Sequence, residues 1–125
     1  MRTSPRRIES LEPHQVFVFG SNAVGMHGAG AARMALERFG AVSGEGHGLH
    51  GQSYAIDTMS GLAVIEREVA EFLDFAAEHP EQEFLVTEVG CGIAGWQPER
   101  IARLFRGAGE NVLLPERFAA ALKAG

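Results

Sequence analysis

The sequence predicts a single α/β domain with three layers, in which helices cover both faces of a mostly parallel or mixed central sheet. Short β-prone apolar runs alternate with segments of helical periodicity along the 125 residues. That alternation favours strands joined by right-handed helical crossovers. Residues 16–19 are apolar at every position, as expected of a strand buried on both faces of a sheet. A chain of this length can bury an ordinary core without disulfides or a structural metal.

The remaining elements follow the same two patterns. Strands are predicted at residues 53–56, 84–87 and 112–114, and Ile8 is compatible with an edge strand. Helices are predicted at residues 31–39 and 65–76, and two more begin at Pro98 and Pro115. Residues 40–51 hold five glycines with little periodicity, which predicts a loop packed over the sheet or a mobile lid. The domain is expected to span residues 1–125, with residues 1–14 as a partly ordered N-terminal segment.

Charge and composition narrow the classes of partner. The chain has 11 Lys and Arg against 16 Asp and Glu, and this net charge of −5 argues against broad nucleic-acid binding, which needs a basic face. Arg2, Arg6 and Arg7 are expected to form a solvated tail. Cys91, the single cysteine, excludes an internal disulfide and fits a reducing compartment. No apolar run approaches the ~18 residues of a membrane span, so a cytoplasmic protein without a membrane partner is expected. The oligomeric state stays open.

Two glycine-rich segments each follow a predicted strand and precede a predicted helix. The first consists of Gly20, Ser21 and Asn22 and continues through His27, Gly28, Ala29 and Gly30. The second consists of Gly90, Cys91, Gly92, Ile93, Ala94 and Gly95. In this arrangement backbone N–H groups and a helix dipole can converge on an anion. Two such loops on neighbouring strands would hold a diphosphate from both sides, although glycines at strand ends also serve tight turns alone.

Other motif-like features give less support to a site. Residues 46–51 read G-x-G-x-x-G, but they follow a helix and precede a strand, the reverse of a dinucleotide fingerprint. The sequence contains no Walker A motif. His47 and His50 lie on a glycine-rich loop without a nearby cysteine, so neither a metal nor a cofactor is expected. Cys91 has no histidine placed by sequence to activate it, and we interpret it as a small side chain that lets the loop approach phosphate.

The glycine loops and their strands resemble those of the macro domain, a small α/β/α fold that binds ADP-ribose. The resemblance rests on VFVFGSN at residues 16–22 with HGAGAA at 27–32, on YAIDT at 54–58, and on VTEVGCGIAGW at 86–96. The chain is similar to small stand-alone bacterial and phage proteins. It is also similar to the branch that removes ADP-ribose from acidic side chains and nucleic acid.

The resemblance implies a set of ligand contacts. Asn22 would contact the distal ribose, and Trp96 would flank the terminal ribose. The other implied ligand-binding residues are Gly20, Ser21, His27, Gly28, Ala29, Gly30, Thr58, Gly90, Cys91, Gly92, Ile93, Ala94 and Gly95. Residues 8–11 show no clear equivalent of the family's acidic adenine-binding motif. The lysine and aspartate of the ADP-ribose-removing branch are replaced here by Met59 and Ala94, so covalent catalysis is not supported.

Three functions remain open at this point. The first is a binding module for ADP-ribose or a related nucleotide, free or attached to protein or nucleic acid. The second is a hydrolase acting on an ADP-ribosyl bond, with His27 as general base or water-orienting group and Asp57 as a further catalytic candidate. The third is an interaction protein with a vestigial pocket, although the charges at residues 66–68 and 78–83 are interpreted as solvated faces that mark no specific partner.

Overall fold

A computed structural model describes residues 2–124. As predicted, these residues form an α/β domain in which helices flank both faces of a five-stranded mixed sheet. The strands are β1 (Gln15–Ser21), β2 (Gly48–His50), β3 (Ser53–Asp57), β4 (Glu83–Val86) and β5 (Val112–Leu113). The helices are α1 (Gly30–Arg38), α2 (Leu62–Ala77), α3 (Pro98–Ala102) and α4 (Glu116–Ala124), with a 3₁₀ turn at Arg103–Phe105.

The strand β1 lies at the centre of the sheet, whose order is β2-β3-β1-β4-β5. β1 runs parallel to β3 and β4, β5 runs parallel to β4, and β2 is antiparallel to β3. Successive side chains of a strand point to opposite faces. Accordingly, Val16 and Val18 pack with α2, α3 and α4, whereas Phe17 and Phe19 pack with α1. The central strand is therefore buried on both faces, as its continuous apolar run predicts.

The helix α2 is held to the sheet by the apolar stripe that predicted it. Ile65, Val69 and Phe72 are fully buried. The ring of Phe72 lies 5.0 Å from that of Tyr54 on β3 and 5.5 Å from that of Phe84 on β4, measured between centroids. Full burial of a side chain of this size contributes about 1.5–3 kcal/mol. This packing fixes the turn that leads from β3 into α2, which borders the candidate site.

Residues 40–51 contain a short strand and pack against the loop that follows β1. Within them the structure has the short edge strand β2, which the sequence does not predict because Leu49 is its only apolar residue. Glycines on either side of β2 also approach other backbone closely. The N–H of Gly44, for example, donates to the carbonyl of Gly25 at 2.9 Å. The segment therefore supports the loop that follows β1.

The N-terminal segment lies against the domain and does not extend from it as a solvated tail. Thr3 pairs with Leu114 in a parallel bridge, and the N–H of Ser4 donates to the Leu114 carbonyl at 2.8 Å. The buried Ser4 hydroxyl donates to the carbonyl of Val86 at 2.7 Å. Ile8 is buried in the cluster on the α1 side but belongs to no strand, contrary to the expectation of an edge strand there.

Candidate functional site

The carboxyl ends of β1, β3 and β4 meet at one edge of the sheet because β1 lies between the other two and runs parallel to both. We call residues 22–29, after β1, the first loop, and residues 87–97, after β4, the second loop. The end of β1 lies close to the second loop: a Cβ atom placed on Gly20 would lie 3.6 Å from the amide nitrogen of Gly90. Ligands of α/β sheets bind at this edge.

A cavity of about 650 Å³ opens between the two loops. Its size lies within the usual range of small-molecule sites. Every ligand-binding residue suggested by the sequence borders it except His27, Gly95 and Trp96. Those that do border it are Gly20, Ser21, Asn22, Gly28, Ala29, Gly30, Thr58, Gly90, Cys91, Gly92, Ile93 and Ala94. The sequence analysis did not single out as ligand contacts the further lining residues Met26, Ala31, Ala32, Met59, Thr87, Glu88 and Val89.

The first loop brings the open N-terminus of α1 to the cavity. Ala29 occupies the N-cap position and makes no side-chain capping hydrogen bond. The backbone N–H groups of residues 28–32 donate to no other group within the described part of the chain. Ser, Thr, Asp and Asn are preferred at an N-cap because their side chains accept such bonds. With alanine there, the N–H groups and the helix dipole remain available to an anion.

The second loop presents a similar row of donors. Turns fold it back on itself: the N–H of Cys91 donates to Glu88 at 3.2 Å, and the N–H of Gly95 donates to Gly92 at 3.0 Å. Between these turns, the N–H groups of residues 92–94 have no acceptor among residues 2–124. Gly95 has φ of +77°, a conformation that other residues rarely adopt. Consecutive free N–H groups of this kind form an anion-binding concavity.

Asn22 fixes the shape of the first loop. Its side-chain Nδ2 donates to the carbonyl of Met26 at 2.8 Å, and its Oδ1 accepts from the Met26 N–H at 2.9 Å. A side-chain amide has two donors and two acceptor lone pairs, so Asn22 keeps one of each after these bonds. Because Asn22 also borders the cavity, it can hold the loop and contact a ligand hydroxyl at the same time.

His27 lies behind the first loop and does not border the cavity. Its Nε2 is 3.1 Å from the Ser21 hydroxyl, and its ring meets that of Phe19 edge-on at 5.3 Å. His27 is 5% exposed, and its Nδ1 is buried without a partner in residues 2–124. Burial, with a smaller contribution from His50, lowers the pKa of His27. His27 is therefore a buried support of the first loop, and it reaches the cavity only through its contact with the lining residue Ser21.

Asp57 does not border the cavity either. One carboxylate oxygen accepts from the Met59 N–H at 2.9 Å, and the other accepts from the Ser60 hydroxyl at 2.6 Å. The Asp57 N–H donates to Glu68 at 2.7 Å. Asp57 thus stabilises the turn between β3 and α2. The two residues that the sequence suggested for catalysis are therefore both used in structural contacts.

The interpretation of residues 66–68 as a solvated face is wrong for Glu68, because the side chain of Glu68 is buried. Besides accepting from Asp57, its Oε1 lies 3.0 Å from Nδ1 of His47. The Nε2 of His47 lies 3.3 Å from Glu71 on the same helix. His47 therefore links the glycine-rich segment before β2 to α2. This contact covers the carboxylate of Glu68, which is why Glu68 is buried on a helix face that is otherwise polar.

Cys91 borders the cavity but is not an activated nucleophile. Its Sγ is 3.6 Å from the carbonyl oxygen of Val89. Burial, with a contribution from the charge of Glu88, raises the pKa of the Cys91 thiol to about 11. The thiolate is the reactive form of cysteine, and it is scarce at neutral pH for such a group. Cys91 is thus a neutral part of the cavity wall.

Glu88 is the acidic residue that borders the cavity, and its carboxylate forms an ion pair with Arg117. Its two carboxylate oxygens accept from Nε and a terminal nitrogen of Arg117 at 2.8 and 2.6 Å. The hydrogen bond to Arg117 holds the pKa of Glu88 below its ordinary value. No lysine or arginine of residues 2–124 borders this cavity. An anion bound there would therefore be held mainly by backbone N–H groups.

Trp96 packs against the core at the base of the second loop and lies outside the cavity. Its backbone N–H donates to the carbonyl of Gly90 at 2.9 Å. The guanidinium of Arg100 lies 5.8 Å from the centre of the Trp96 ring. The hydrogen bond from Trp96 to Gly90 closes the second loop. The contact with a terminal ribose that the resemblance implies for Trp96 stays a prediction.

Comparisons with protein-family models, curated proteins and solved structures give no match to the chain. Within residues 2–124, no group of three or more histidine, cysteine or carboxylate side chains is arranged to hold a metal ion. None of the helices in the same range combines the length and apolar character needed to cross a bilayer. The geometry of the cavity between the two loops is therefore what bears on function.

Proposed function

We propose that this protein binds ADP-ribose, or a related nucleotide diphosphate, in the cavity between the first and second loops. The observation that carries the proposal is the pair of free N–H rows, at residues 28–32 and 92–94, that border one cavity. A diphosphate has two linked anionic groups and needs donors on both sides. Charge-assisted hydrogen bonds from backbone N–H groups are among the stronger polar contacts in proteins.

The parts of the cavity outside the loops support a ligand larger than a diphosphate. A volume of about 650 Å³ accommodates sugars or a base in addition to the phosphates. Asn22 keeps a free donor and acceptor suited to ribose hydroxyls. The resemblance of both loop sequences to macro domains favours ADP-ribose among the nucleotide diphosphates.

We favour binding over hydrolysis because no side chain of residues 2–124 that borders the cavity is a free general base. His27 and Asp57 lie outside the cavity, the pKa of Cys91 is raised, and Glu88 is paired with Arg117. A hydrolase would need a base within hydrogen-bond reach of the attacking water. Incubation with an ADP-ribosylated protein or nucleic acid separates the two functions, because sustained release of ADP-ribose would establish an enzyme.

Isothermal titration calorimetry with ADP-ribose tests the proposal directly. Free ADP and ribose 5-phosphate are the partial ligands, and we expect each to bind more weakly than ADP-ribose because each fills less of the cavity. The control variant is Arg103→Gln, which changes an exposed residue that does not border the cavity. This variant should bind ADP-ribose as the wild type does. A Kd of hundreds of micromolar corresponds to a binding free energy of only about 5 kcal/mol. If ADP-ribose at such concentrations does not bind, it is not the ligand.

A further inference from the structure

A second cavity, of about 850 Å³, adjoins the first one. The two share Ala31, Thr87 and Glu88 as lining residues. The second cavity lies between the N-terminal segment, α1 and the beginning of α4. A ligand that occupies the first cavity can therefore extend past Thr87 and Glu88 into the second without leaving the protein surface.

The second cavity is basic although the chain as a whole is acidic. Four arginines border it: Arg6, Arg7, Arg38 and Arg117. They face three carboxylates: Glu9, Glu88 and Glu116. The net positive charge of this lining contrasts with the formal charge of −5 for the whole chain. We call this cavity the arginine cleft.

Apart from Arg117, none of these guanidinium groups forms an ion pair within residues 2–124, although the charge of Arg6 contributes at longer range to lowering the pKa of Glu88. Arg117 is paired with Glu88, whereas Arg38 donates to the backbone carbonyl of Glu9 at 3.3 Å. Arg6 and Arg7 form no ion pair or side-chain hydrogen bond within residues 2–124. Guanidinium groups match the geometry of phosphate oxygens through two parallel hydrogen bonds. The unpaired arginines therefore have the chemistry of a phosphate site.

The chain holds Arg6 and Arg7 at the cleft from both sides. Before them, the buried Ser4 hydroxyl is bonded to Val86 of β4. After them, Ile8 is 7% exposed and packs in the cluster on the α1 side. Anchors on either side limit the conformational freedom that the two arginines would lose on binding. This is the structural difference between these residues and a free basic tail.

We propose that the arginine cleft binds a further phosphate group of the ligand, a phosphomonoester on a nucleotide whose diphosphate lies between the two loops. This inference rests on the proposed function and adds a substrate class to it: nucleotide diphosphates that carry a third, separate phosphate. The cleft adjoins the loops, its lining carries a net positive charge, and the anchored Arg6 and Arg7 form no ion pair within residues 2–124.

Calorimetry with three ligands tests the inference: ADP-ribose, ADP-ribose with a 2′-phosphate on the adenosine ribose, and ADP-ribose 1″-phosphate. We expect one phosphorylated ligand to bind at least about tenfold more tightly than ADP-ribose at physiological salt. The double variant Arg6→Gln/Arg7→Gln should lose that gain and keep the affinity for ADP-ribose. The matched variant Arg103→Gln/Arg106→Gln removes two exposed arginines outside both cavities and should keep the gain.

A gain from neither phosphate, or a gain that persists in Arg6→Gln/Arg7→Gln, would overturn the inference. Amide NMR with inorganic pyrophosphate separates this failure from failure of the proposed function. Pyrophosphate should shift the amide signals of residues 6–9 in the wild type and not in the double variant. If those shifts appear but ADP-ribose does not bind, the proposed function is wrong and the phosphate site stands. If pyrophosphate shifts no amide signal in residues 6–9, the cleft is not a phosphate site.

Discussion

The α-carbon of Gly46 faces the carbonyl oxygen of Asn22 so closely that no side chain fits at position 46. Gly25 approaches the backbone of Gly44 and Glu45 in the same way, and it does so with φ of +69°. The first loop is therefore packed backbone to backbone on the segment before β2. The shape of the candidate site depends on glycines that lie outside the cavity as well as on those that line it.

Replacing Gly46 should destabilise the protein. In Gly46→Ala the new methyl group would overlap the Asn22 carbonyl, and overpacking of this kind typically costs about 1–3 kcal/mol. Urea unfolding followed by circular dichroism measures the change. Gly28→Ala is the matched control, because a Cβ atom at Gly28 meets nothing within 4 Å. Equal unfolding free energies for Gly46→Ala and Gly28→Ala would show that the first loop does not need this support.

Replacing Gly92 should affect ligand binding and leave the fold intact. A Cβ atom at Gly92 also meets no protein atom within 4 Å, and Gly92 borders the cavity between the loops. The unfolding free energy of Gly92→Ala should stay within about 0.5 kcal/mol of wild type. Its Kd for ADP-ribose should rise by about tenfold or more, because the methyl group occupies the space from which a phosphate reaches the backbone N–H groups. Unchanged affinity in calorimetry would place the phosphates elsewhere.

The buried histidine of the first loop should make the protein less stable in mild acid. Because the pKa of His27 is lowered in the folded state, the unfolded chain takes up this proton first as the pH falls below about 6.5. This contribution to stability is complete above that pH and is lost as the pH falls towards the folded-state pKa. The variant His27→Gln should show a smaller loss of unfolding free energy between pH 7 and pH 5. An NMR titration of the His27 ring with a pKa at or above 6.5 would contradict this account.

The thiol of Cys91 should react slowly with alkylating agents. A pKa raised to about 11 leaves little thiolate at pH 8, and the greater nucleophilicity of a more basic thiolate offsets only part of that deficit. We expect alkylation by iodoacetamide to be roughly tenfold slower in the folded protein than in the same protein unfolded in urea. Mass spectrometry follows the reaction. Equal rates in the two states would mean that Cys91 is neither buried nor shifted in pKa.

The sequence predicts the strands that consist of consecutive apolar residues. It does not predict a strand that forms only because a neighbouring strand supplies its hydrogen bonds. Residues 16–19 are apolar throughout, and the prediction of a strand there is confirmed. Gly48–His50 contains one apolar side chain and becomes a strand because β3 supplies its hydrogen bonds. Ile8 is buried by contacts with the α1 side of the core, a role that local sequence does not distinguish from an edge strand.

For the site, glycine clusters after strands predict the loops, whereas side-chain direction depends on the tertiary fold. Ser21 lies two residues after Phe19 on β1, so both side chains point to the face of the sheet that α1 covers. His27 contacts both of them behind the first loop. No sequence pattern indicates this direction. Glu88 and Arg117 are 29 residues apart, and only the packing of α4 beside the second loop brings them together.

Amide NMR of isotope-labelled protein during titration with ADP-ribose is the most direct test of the central claim, that two rows of backbone N–H groups hold one diphosphate. We predict that the signals of residues 28–32 and of residues 92–94 move downfield together, at the same ligand concentration, as their N–H groups gain phosphate acceptors. Signals that stay in place in both segments, or that move in only one of them, would contradict the claim.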